Sequence, residues 1–113
     1  MTETLQEKRR HVRKRLTVTA NVFQTQDQQS IGRVFDISQE GFMLLTPARV
    51  QPSEVLDLTI EIPELDSSRN IELSAECMWC QPSSFSKEFG AGFHIKNISD
   101  QDQVALNYFI RDF

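Results

Sequence analysis

The chain has 113 residues, 12 of them Lys or Arg and 16 Asp or Glu, for a net charge of −4, and 39% of its residues are hydrophobic. That length fits one domain with a single core, and the composition excludes a disordered chain. No apolar run approaches the ~18 residues of a membrane span, and residues 1–15 lack the apolar stretch of a signal peptide. A cytoplasmic protein is therefore expected, and its two cysteines make no disulfide framework.

The first element in the chain is a run of charge. "KRRHVRKR", residues 8–15, holds six Lys or Arg and no acid, so the other 105 residues carry six basic against 16 acidic side chains, a balance of −10. A body this acidic repels an extended nucleic-acid polymer, whose phosphates beyond the first few would face carboxylates. A compact ligand with one or two phosphates can still dock on the basic segment alone. Residues 1–15 are expected to form a flexible arm, and residues 16–113 a folded domain.

From Leu16 onward apolar and polar residues alternate. "LTVTANV" puts Leu16, Val18, Ala20 and Val22 on one face, the period of a half-buried strand. "SIGRVFDIS" sets Ile31, Arg33, Phe35 and Ile37 opposite Val34, Asp36 and Ser38, and "GFMLLT" follows a turn as a short apolar run. "LDLTIEIP" directs Leu56, Leu58, Ile60 and Ile62 inward until Pro63 stops it. "IELSAECMW" turns Ile71, Leu73, Ala75, Cys77 and Trp79 inward, and "GAGFHIK" aligns Ala91, Phe93 and Ile95. Turn-rich stretches such as "SQEG" and "ELDSSRN" separate these segments. Six short strands with no long helix among them predict an all-β fold, an antiparallel barrel or sandwich. The end differs: Ser99 is placed as an N-cap with Asp102 three residues on, and Val104, Ala105, Tyr108 and Phe109 recur at helical spacing. One C-terminal helix should lay that stripe on the barrel.

"DISQEG", residues 36–41, carries the polar chemistry. Two apart on a strand, Asp36 and Ser38 leave the same face roughly 7 Å from one another. Gly41 would permit positive φ in the reversal that follows. A carboxylate suits the N1–H and N2–H₂ edge of guanine, while arginines suit phosphate and the guanine O6/N7 edge. A basic arm beside Asp36 and Ser38 thus reads as a site for guanine plus phosphate.

"RRHVR" followed about twenty residues later by "DISQEG" resembles the RxxxR and (D/N)xSxxG signature of PilZ domains, bacterial receptors for the second messenger cyclic di-GMP. The resemblance covers nearly the whole chain and implies a six-stranded antiparallel barrel with a C-terminal α-helix, in agreement with the periodicity. Trp79 at a strand end and "GAGFHI" before the helix are also similar to the family pattern. The resemblance implies that Arg9 and Arg13 grip phosphates and guanines, that Asp36 and Ser38 bind a guanine edge, and that Gly41 shapes the turn. Arg10 is placed as an auxiliary contact, because Arg10-xxx-Lys14 matches only in charge and Lys lacks the planar fork. Ordering the arm costs about 1 kcal/mol per residue, which charge-assisted contacts of ~1.5–3 kcal/mol each can offset. Ligand is then expected to order the arm, and an effector protein in motility, biofilm or polysaccharide control to read the change.

Other signals are weaker. "CMWC" lacks the second ligand pair of a zinc site, and on a strand Cys77 and Cys80 should point to opposite faces. No metal or cofactor is expected. His11 and His94 stand far apart, and no phosphate loop, nucleophile elbow or carboxylate pair points to an enzyme. Two alternatives remain open: a degenerate member acting only as a protein-interaction module, and a single-stranded nucleic-acid-binding barrel. The latter needs exposed stacking aromatics, whereas most aromatics here fall at positions read as core-facing.

Overall fold

The computed structural model describes residues 14–64, 67–84 and 86–112. Its strands are β1 (Lys14–Arg15), β2 (Asn21–Gln24), β3 (Ser30–Ile37), β4 (Gly41–Thr46), β5 (Val55–Glu64), β6 (Ser67–Pro82) and β7 (Phe89–Ile98), followed by the helix α1 (Asp100–Asp112). They hydrogen-bond in the order β3–β2–β5–β6–β7–β4, and a β3–β4 pairing closes the ring. Every pairing is antiparallel. The result is a closed six-stranded barrel with β1 added as a short extra strand and one helix among the described residues. Closure removes exposed sheet edges, the usual hazard of a small β domain.

Alternation fills the interior. Val22, Ile37, Phe42, Leu44, Leu58, Ile60 and Ile71 are fully buried. Phe42 and Phe93 stack with ring centroids 5.4 Å apart. Burying each such side chain contributes about 1.5–3 kcal/mol. β5 and β6 pair without interruption from Val55↔Glu76 to Glu64↔Ser67, so the turn expected across "ELDSSRN" is shorter than its composition indicates.

Three local departures bear on the site. In "LTVTANV" the burial alternates as expected, ending with Ala20 and Val22 at 0% exposure, but the ladder is broken. Arg15 pairs with Asp36 and Asn21 with Arg33, so residues 16–20 face only Val34 and Phe35 and must loop out. β3 itself carries irregularities at Ile31, against β2, and at Phe35, against β4. A bulged residue resets the alternation, so Val34 and Ile37 both enter the core, and Phe35 does not share the inward face of Ile37. In β6 the register shifts between Cys77 and Trp79, so Trp79 pairs with Gly92 and stays 37% exposed instead of facing inward.

The helix also differs from its expected stripe. The Ser99 hydroxyl accepts the Asp102 N–H at 3.1 Å, the expected N-cap. The Asp102 carboxylate accepts the Glu72 N–H of β6 at 3.1 Å, which fixes the rotation of α1. Residues three, four and seven further on then face the barrel. Leu106 and Phe109 are buried, while Val104 and Tyr108 are 53% and 54% exposed. At the other end of α1, the Lys14 ammonium donates to the Arg111 carbonyl at 3.1 Å.

Candidate functional site

Arg9, Arg10 and Arg13 lie outside the described residues. Asp36, Ser38 and Gly41 come together where β3 ends and the chain reverses into β4. The Ser38 N–H and hydroxyl both donate to the Gly41 carbonyl, at 2.8 and 3.2 Å. The same hydroxyl accepts the Glu40 and Gly41 N–H groups, each at 3.3 Å. One donor and two lone pairs are thereby all engaged, the pattern of a serine that shapes its own turn. The Ile95 N–H donates to the Glu40 carbonyl at 2.8 Å, which fastens the turn to β7.

Gly41 is required for a reason other than the expected one. Gly32, at 153°, is the glycine with positive φ among the described residues, so Gly41 needs no left-handed backbone. A Cβ at Gly41 would instead stand 2.3 Å from the Phe93 carbonyl oxygen of β7. Backbone cannot yield as a side chain can, so the close approach of β4 to β7 is what demands glycine.

One flank of the turn is the root of the basic segment. Lys14 pairs with Ile37 and Arg15 with Asp36, and the Leu16 N–H donates to the Phe35 carbonyl at 3.3 Å. The bulge that displaces Phe35 from the core leaves its ring beneath Arg15, whose guanidinium lies 4.8 Å from the ring centroid. Asp36 is half-buried between this root and Met43 of β4.

The other flank is an open recess of about 250 Å³ lined by Ser38, Gly41, Met78, Trp79, Gly92 and His94, among others. Alternation alone points Trp79 into the core, whereas the structure places it on the wall of this recess. Its indole lies flat on β7, where a Cβ at Gly92 would come 2.1 Å from Nε1. "GAG", residues 90–92, was the available signal: two glycines on one strand face permit a close overlying ring. The volume of the recess is below the ~300 Å³ at which small-ligand pockets begin. A larger recess of about 410 Å³ lies between α1 and the β5–β6 hairpin, but it is lined by none of the predicted site residues.

Cys77 and Cys80 are free thiols. The irregularity at Met78 breaks the alternation, so both pack against the core instead of facing opposite ways. The Cys77 thiol donates to the Trp79 carbonyl at 3.4 Å, and Cys80 Sγ accepts the Val50 N–H at 3.4 Å. Burial pushes the Cys77 thiol up, helped by neighbouring Cys80 and opposed by its backbone hydrogen bond. Among the described residues no three His, Cys, Asp or Glu side chains group to hold a metal, and no helix is long and apolar enough to cross a membrane.

A closed antiparallel barrel, capped by a helix and carrying a polar turn beside the root of a cationic segment, defines a small helix-capped β-barrel domain. Within that class the chain belongs to the PilZ domain family, whose profile matches residues 7–112. Comparison with curated proteins finds no match. Among solved structures, the Bacillus subtilis inhibitor of motility MotI/DgrA superposes with a TM-score of 0.72 at 24% identity, over 91% of this chain and 50% of that one. Escherichia coli YcgR in complex with c-di-GMP superposes at 0.71 and 16% identity, over 92% of this chain and 45% of YcgR. The PilZ domain of YcgR with c-di-GMP gives 0.67 and 17%, over 92% and 89% of the two chains. The chain thus spans about half the length of MotI and YcgR, and at these identities the likeness establishes the fold.

Proposed function

We propose that this domain is a receptor for cyclic di-GMP, held between its basic segment and the Asp36–Gly41 turn. The observation that carries the reading is the position of the segment's root: Lys14 and Arg15 pair with Ile37 and Asp36, beside Ser38. Arg13 is one peptide from that root and Arg9 five, and an extended chain covers ~3.3–3.6 Å per residue, so Arg9 can reach about 17 Å from Lys14. Both guanidinium groups are therefore within range of a dinucleotide seated on the turn, with Arg10 as a further cation. They supply planar forks for phosphate and for guanine O6/N7.

The Asp36 carboxylate accepts from the guanine Watson–Crick edge, while Ser38 and Gly41 hold the turn that presents it. The exposed face of Trp79 offers one guanine a stacking surface, a contact worth ~1–3 kcal/mol for base on aromatic. Solved YcgR holds c-di-GMP, which supports the same ligand class here. Nothing in this arrangement performs bond chemistry. The ligand orders the segment, and an effector protein reads the ordered form, in the cytoplasm of a bacterium.

Trp79 is the single tryptophan, so its emission reports on the recess directly. Titration with cyclic di-GMP is expected to change that emission saturably in the wild type and not in Arg13→Ala. An emission that cyclic di-GMP leaves unchanged, or that responds equally to a single-stranded oligonucleotide, would overturn the reading.

A further inference from the structure

A hydrogen bond joins the two ends of the described chain. Lys14, at the root of the basic segment, donates from Nζ to the carbonyl of Arg111, 97 residues on. The last four carbonyls of a helix have no partner within it, and a cation there also meets the negative end of the helix dipole. Lys14 therefore holds the last turn of α1 by its backbone. In the same turn the Arg111 guanidinium lies 4.6 Å from the ring centroid of Tyr108, which is 54% exposed. Tyr108 and Asp112 also line the 410 Å³ cleft against Pro63, Glu64 and Arg69 of the β5–β6 hairpin. Further up the helix, Leu106 is buried in the core and Asp102 is bonded to β6, while within the last turn Phe109 is the residue buried in the core. The final turn is thus the part of α1 whose backbone is tied to β1 and not only to the barrel.

We propose that Lys14 couples the basic segment to the last turn of α1, so that ligand capture by the segment stiffens residues Tyr108–Asp112 and fixes the shape of the cleft they line. This inference rests on the ligand reading above. Neighbouring side chains on a strand point to opposite faces, so Lys14 can hold Arg111 while Arg15, its neighbour in β1, turns to the other side. Ligand that pins the segment further restrains Lys14, whose backbone already pairs with Ile37, and so lowers the entropy lost when its ammonium bonds the helix end. The coupling is reciprocal: whatever loosens that helix end weakens ligand binding by the same factor.

The test is amide hydrogen exchange across Tyr108–Asp112, with and without cyclic di-GMP, on the full chain and on Lys14→Met, which keeps the apolar stem. In the wild type, ligand is expected to slow exchange in this turn about threefold, the scale of one net hydrogen bond. In Lys14→Met the unliganded turn should exchange faster and ligand should no longer slow it, while binding persists about threefold weaker, as linkage requires. Saturable binding with no change in the turn, or an equal slowing in Lys14→Met, overturns the coupling and leaves the ligand reading intact. Absence of binding by the wild type overturns both.

Discussion

Gly92→Ala tests the account of Trp79 by the sign of its effect. A methyl at position 92 would stand 2.1 Å from the indole Nε1 and 2.5 Å from Cε2, against an ordinary contact of at least 3.4 Å. The ring must therefore retreat by at least 1.3 Å, the difference between those distances. It can retreat only outward, because Phe93 and Cys77 fill the barrel on the other side. Were position 92 unobstructed, Ala would stabilise the strand by about 0.4–1 kcal/mol through the unfolded chain. With the indole overhead, overpacking should instead cost about 1–3 kcal/mol. A domain of this size loses roughly 4–8 °C in Tm per kcal/mol. Thermal unfolding followed by Trp79 emission reads both consequences, a lower Tm and a red-shifted maximum before melting. An unshifted maximum together with a higher Tm would refute the packing of Trp79 on Gly92.

Three further outcomes are expected. Ser38→Ala removes a hydroxyl engaged with Glu40 and Gly41 and should cost about 1–3 kcal/mol in denaturant unfolding, with weaker cyclic di-GMP binding as the turn loosens. Leu106→Ala should cost about 2–5 kcal/mol, and Val104→Ala within ~0.5 kcal/mol, because only the first side chain is buried. In the folded protein the Cys77 thiol ionises above its ordinary value of 9.0. Its contribution to stability is then complete below that value and lost as pH rises through the folded one. Wild type should lose stability above pH 9 more steeply than Cys77→Val, and parallel curves would contradict the assignment.

Period-2 alternation is a statement about faces, and it predicted burial better than pairing. Leu58, Ile60, Ile71, Leu73, Ala75, Ala91 and Phe93 are inside as expected. It failed at Phe35 and at Met78, where one strand holds an extra residue against its partner, because the sequence does not mark a bulge there with Gly or Pro. Those two bulges place Phe35 under Arg15 and Trp79 over Gly92, so the site was least legible where the barrel is irregular. β1 could not be seen at all: two basic residues carry no strand signal, and only their pairing with Asp36 and Ile37 makes them one. In α1, Val104 and Tyr108 offered an apolar stripe as good as Leu106 and Ile110. The choice was settled by Asp102 bonding to β6, a contact between distant segments. The polar turn was legible because its chemistry is local to Ser38, Glu40 and Gly41.

The most direct test of the whole account is calorimetric titration of cyclic di-GMP into wild type, Arg13→Ala, Asp36→Ala and the double variant. One ligand bridging the segment and the turn requires saturable binding in the wild type, a large loss in each single variant, and a double variant hardly worse than either. Wild-type binding that survives both single substitutions unchanged would contradict it.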